Sequence, residues 1–89
     1  MSLAYAREKL GEAVNVLQFH PGEIQHRVKA TLGPLGLVPV EFLPADLRQE
    51  YDAIWAYVNE NKTRTFKTAT PMAERIVTLE AKLSELLAG

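Results

Sequence analysis

The feature that most constrains this chain is an apolar stripe near its C-terminus. Met72, Ile76, Leu79, Leu83 and Leu86 recur in steps of four, three, four and three residues. At 100° per residue these five side chains share one face of an α-helix. Leu87 widens the stripe and Gly89 ends it. Thr70 followed by Pro71 has the form of an N-cap and a first-turn proline, so the spacing predicts a helix over 71–88. Such a helix needs other elements against which to bury its face.

Three further segments have helical spacing. In 2–18, Leu3, Ala6, Leu10, Ala13 and Leu17 form one stripe, joined by Val14, with Ser2 as N-cap. Gly11 inside this pattern costs about 1 kcal/mol relative to Ala. Tyr5, Val16 and Phe19 fall on the opposite side, which asks for cover from the rest of the fold or from another subunit. Over 22–32, Pro21 suits a helix start and Glu23 complements the dipole. Ile24, Val28, Thr31 and Leu32 then make a face, and Gly33-Pro34 reads as a stop with a left-handed glycine cap. Over 45–59, Leu47, Tyr51, Ile54, Trp55 and Val58 form an amphipathic face behind Pro44. Tyr57 lies off that stripe. Arg48 with Asp52, and Glu23 with Arg27, are spaced as helix surface pairs.

Four amphipathic helices in one short chain imply an all-α bundle, a single helical domain over 1–89, with the first and last helices near-antiparallel. Leu, Ile, Val and Phe supply 25 of 89 residues and the net charge is −1, which argues against disorder. A chain of this length should be stable by about 4–13 kcal/mol. With no cysteine, disulfides and thiolate chemistry are excluded, so packing or oligomerisation must supply that stability. No apolar run approaches the roughly 18–20 residues that cross a bilayer, and no signal peptide is evident. The expectation is a soluble cytoplasmic domain without membrane contact.

Two connecting segments are unusual. Residues 33–44 hold three prolines and two glycines, which argue against regular helix, yet also Leu35, Leu37, Val38, Val40, Phe42 and Leu43. One reading is a loop that plugs the end of the bundle. The other is an exposed apolar rim for a partner. Residues 59–70 are polar and threonine-rich, and are read as a surface loop with Phe66 tucked inward. Charge is uneven across these segments. Residues 34–60 carry a net −4, whereas Lys62, Arg64 and Lys67 give the next stretch +3.

Catalytic parts are scarce. Ser2 and Ser84 are the only serines, and no glycine-rich phosphate loop is present. His20 is read as a turn residue and His26 as a surface residue, since no pair has metal-ligand spacing. Asp46 and Glu50 share a helix face and are read as a solvated acidic surface rather than a cation site. No cofactor, metal or enzymatic role is expected.

The candidate protein interface is Tyr5, Val16, Phe19, Leu35, Leu37, Val38 and Tyr57, with a second copy of the chain as the expected partner. The candidate anion or nucleic-acid contact is Lys62, Arg64 and Lys67, with Phe66 available to stack on a base. The chain's isoelectric point near 6.1 is low for a nucleic-acid binder.

One pattern is familiar. Leu43-Pro44-x-x-Leu47-Arg48-x-x-Tyr51-x-x-Ile54-Trp55, then a polar loop and Ala73-Glu74-Arg75-Ile76-Val77-x-Leu79, resembles small bacterial all-helical proteins of unknown function. Some of those are thought to be associated with phages or mobile elements. Phe19-His20-Pro21-Gly22-x-Ile24-x-x-Arg27 upstream is similar to theirs as well. The resemblance implies a bacterial helical domain and carries no activity with it.

Overall fold

The computed structural model describes residues 2–89. It comprises α1 (Leu3–Phe19), α2 (Ile24–Ala30), the one-turn α3 (Leu32–Leu35), a 3-10 turn at Val40–Phe42, α4 (Ala45–Asn59) and α5 (Phe66–Ala88). Among the described residues there is no strand. α5 is the spine. Its 23 residues span about 34 Å at 1.5 Å per residue, the full 35 Å length of the molecule. Leu87 meets Tyr5 and Ala4 at one end of α1, while Leu17 meets Ala73 and Val77 at the other, so α1 and α5 run antiparallel. α4 is antiparallel to α5 too, with Glu50 bonded to Lys82 at 2.7 Å. α2 packs against α5.

The apolar stripes meet in one core. Ala6, Leu10, Ala13 and Leu17 of α1 join Leu47, Tyr51, Ile54 and Val58 of α4 and Met72, Ile76, Leu79 and Leu83 of α5. Burying each large aliphatic side chain contributes about 1.5–3 kcal/mol. Leu86, the last member of the α5 stripe, departs from expectation and is 54% exposed. It lies beside Asp46 and Leu47 in the first turn of α4, where the covering helix ends.

α5 begins at Phe66, five residues before the expected start. Thr65 is the cap: its Oγ1 accepts from Thr68 N–H at 3.2 Å, while Thr65 N–H donates to Thr68 Oγ1 at 3.3 Å. This reciprocal pair satisfies orphan backbone donors, and the following Ala69 is fully buried. The threonines that disfavour helix in its interior thus nucleate one. Thr70 is not the N-cap. Its hydroxyl donates to Phe66 O at 2.8 Å, and Pro71 sits inside the helix. Phe66 is not tucked inward either: at the helix tip it is 68% exposed.

α4 is closed by a Schellman motif rather than by an unstructured loop. Lys62 N–H donates to Tyr57 O at 3.1 Å and Asn61 N–H to Val58 O at 3.0 Å. Asn61 adopts φ +64°, the left-handed conformation that this motif requires. Lys62 Nζ then lies 5.7 Å from the centroid of the Tyr57 ring.

The second predicted helix divides in two. α2 ends at Ala30, and α3 follows after Thr31, whose hydroxyl donates to Val28 O at 2.6 Å. Gly33-Pro34 does not stop the chain, because Pro34 falls in the first turn of α3, where its missing N–H has no intrahelical role. Gly33 is not left-handed. That conformation belongs to Gly22, at φ +108° before α2. Gly36 is needed for close approach: a Cβ there would lie 3.2 Å from Leu32 O and 3.4 Å from Trp55 Cη2.

Segment 33–44 is chiefly a plug. Leu35, Val38 and Leu43 are buried in the core, which corrects the expectation that Leu35 and Val38 belong to an interface. Only Leu37 and Phe42 remain as exposed large apolar side chains. Tyr51 OH fastens the plug by donating to Leu35 O at 2.5 Å. The expected Arg48–Asp52 and Glu23–Arg27 pairs are not made. Arg48 Nε donates to Val40 O at 3.0 Å and Arg27 Nε to Gly22 O at 2.8 Å. Backbone carbonyls in the irregular turns take these guanidinium groups, Val40 O accepting from Leu43 N–H at 3.0 Å as well.

Candidate functional site

Two adjoining polar concave surfaces lie at the end of the bundle where α4 turns into α5. The Schellman turn reverses the chain after α4 and lays Asn61, Thr63 and Arg64 against Gln25, His26 and Lys29 of α2. These six residues line a concavity of about 210 Å³ that contains no carboxylate. A second, more open hollow adjoins it through Asn61 and Arg64 and is bordered by Tyr57, Glu60, Lys62, Thr65 and Thr68.

The three expected bases are not equivalent. Lys62 is engaged, 3.2 Å from Glu60 and over the Tyr57 ring. Arg64 and Lys67 are exposed, and among the described residues neither has an ion pair; the same is true of Lys29. Each is thus able to meet an anion without first breaking a salt bridge. Phe66, two residues after Arg64 in the chain, is exposed at the start of α5. Sequence reasoning missed the α2 half of this surface. His26 and Lys29, three residues apart on α2, carried no motif, and only the tertiary fold sets them opposite Arg64.

Gln25 brings an anomaly to the same wall. Its Nε2 donates to Glu23 Oε2 at 2.8 Å, while its Oε1 is buried and accepts no hydrogen bond. Most buried polar atoms in folded proteins have a partner.

The expected protein interface is dispersed. Phe19 is 78% exposed and Leu37 56%. Tyr57 is just exposed, and Tyr5 and Val16 are half-buried. Tyr5 is partly covered by Lys9, whose Nζ lies 5.3 Å from the ring centroid. Glu12 accepts a 2.9 Å hydrogen bond from Lys9 and raises its pKa. Tyr5 borders a shallow hollow with Leu87, at the end of the molecule where Leu86 is bare. That end and the basic end lie at opposite tips of α5.

The remaining titratable groups do not converge. Glu50 is paired with Lys82, so Asp46 and Glu50 do not act together. His20 Nδ1 contacts Pro21 O at 2.8 Å. Among the described residues, no group of three or more histidine, aspartate or glutamate side chains is placed to hold a metal. Among the described residues, no helix is long and apolar enough to cross a membrane. No family model matches the chain, and neither a curated relative nor a solved structure matches it.

Proposed function

We propose that this protein is a non-enzymatic interaction module that associates with a second copy of itself. The observation that carries the reading is Leu86. It belongs to the strongest apolar stripe in the sequence, yet that stripe emerges from the core with Leu86 exposed beside Asp46 and Leu47, and Leu87 exposed beside Tyr5. Bare leucines at one tip favour a symmetric contact in which the same patch meets itself. Sedimentation equilibrium tests this. The native chain should be dimeric at micromolar concentration, and Leu86→Glu with Leu87→Glu should be monomeric with unchanged helical circular dichroism. A native chain that stays monomeric at high micromolar concentration refutes the reading.

A second reading is favoured by one separate observation. Arg64 shares its concavity with Lys29 and His26, which makes the basic loop part of a larger cationic surface suited to nucleic acid. The resemblance to small bacterial helical proteins is compatible with both readings, as is a cytoplasmic location.

A further inference from the structure

The cationic surface can be assigned more closely, on the basis of the second reading above. We infer that α2 and the α4–α5 turn together form a cradle for the phosphates of a single-stranded nucleic acid. Lys29, His26, Asn61 and Arg64 hold the backbone, and Phe66 serves as a platform for a base.

Three features support this. The concavity presents Lys29 and Arg64, two bases without ion pairs, together with the exposed Asn61 amide, and no carboxylate lines it; Glu23 is held against Gln25, and Glu60 borders only the adjoining hollow. Charged donors set among neutral ones suit phosphate oxygens. The walls are fixed rather than floppy, because the Schellman turn and the Thr65–Thr68 capping box lock the loop on both sides of Arg64. Phe66 projects at the tip of α5, 68% exposed, next to the exposed Lys67. An aromatic ring beside a cationic groove is how single strands are held without sequence readout.

The same features argue against a duplex. Reading the major groove takes an inserted helix or a two-stranded ribbon. Here α2 has seven residues and lies packed against α5, and the cradle is a small one-sided concavity.

Fluorescence anisotropy with a labelled oligothymidylate of about 12 nucleotides at low salt tests the assignment. The single strand should bind, and log K should fall against log salt with a slope of about −0.7 per phosphate contacted. Lys29→Ala and Arg64→Ala should each weaken binding about threefold to tenfold and flatten the slope by about 0.7. Phe66→Ala should weaken it about tenfold with the slope unchanged. Arg7→Ala, which removes an equal charge at the opposite tip, should leave affinity within about twofold of the native chain.

The failures are distinct. If Arg64→Ala weakens binding and Lys29→Ala does not, the α2 half of the cradle is refuted while the loop reading stands. A duplex of the same length that binds as tightly as the single strand overturns the single-strand assignment. Binding of tripolyphosphate without binding of the oligonucleotide overturns the nucleic-acid assignment. No binding of any DNA or RNA at low salt overturns both this inference and the reading on which it rests.

Discussion

Tyr51→Phe removes one oxygen from the core and isolates the bond that fastens the 33–44 plug to α4. Tyr51 is buried and its hydroxyl donates to Leu35 O. That carbonyl also accepts from Val38 N–H at 3.2 Å, so the substitution leaves it one partner. The cost is therefore that of a net hydrogen bond, about 0.5–1.5 kcal/mol, rather than the 1–3 kcal/mol of an orphaned buried acceptor. For a chain of this length a loss of about 1 kcal/mol lowers Tm by about 4–8 °C. Stacking on Trp55, with ring centroids 6.3 Å apart, is kept in the variant.

A pH arm sharpens the test. Burial, and secondarily the charge of Asp52, push the Tyr51 phenol above its ordinary pKa of 10.0. As pH climbs, the phenol of the unfolded chain ionises first, so the native state binds more protons and stability falls. The contribution is complete below about pH 10 and is lost as pH rises through the folded-state value. Tyr51→Phe lacks it, and the other titrating groups cancel between the two proteins. Urea melts from about pH 8 to about pH 11 should show the native advantage shrinking above pH 10. A gap that stays constant over this range, or a loss above about 3 kcal/mol at neutral pH, refutes the account of the bond.

Two further substitutions probe the ends of the long helices. Pro71→Ala supplies the N–H that α5 lacks opposite Lys67 O and relieves the ring's clash with that carbonyl. It should raise stability by about 1–3 kcal/mol in urea melts, whereas a loss would mean that the helix does not run through 66–70. Asn61→Gly should hold or gain about 0.5 kcal/mol, and Asn61→Ala should lose about 1 kcal/mol, because φ +64° penalises a Cβ. Equal stability of the two variants in thermal melts would count against the Schellman turn.

The faces of the helices were legible in the sequence. Leu10, Ile54 and Ile76 were each placed on a core-facing stripe by spacing, and each is fully buried. Tyr57 was read as lying off its stripe and is exposed. The boundaries were less legible. Pro71 and Gly33-Pro34 looked decisive as breaks, yet Pro71 lies within a helix and Pro34 in the first turn of one. In each case a local preference of a few kcal/mol yielded to burial of neighbours such as Ala69 and Leu35. Of the basic surface, only the loop half was readable, since Lys62, Arg64 and Lys67 lie together in the chain. Lys29 lies more than thirty residues before Arg64 and gave no signal.

By itself, then, the sequence determined that the chain is all-α and which side of each long helix turns inward. Periodicity encodes direction around a helix axis, because every side chain is set 100° from the last. It does not encode how far along that axis a neighbouring helix extends. Tertiary structure decided that: α4 begins at Ala45, so Leu83 is covered and Leu86 is not. It also decided which distant residues share a wall. The turn at Asn61 folds Arg64 back onto α2, and His26 and Lys29 become part of a cationic surface only through that reversal.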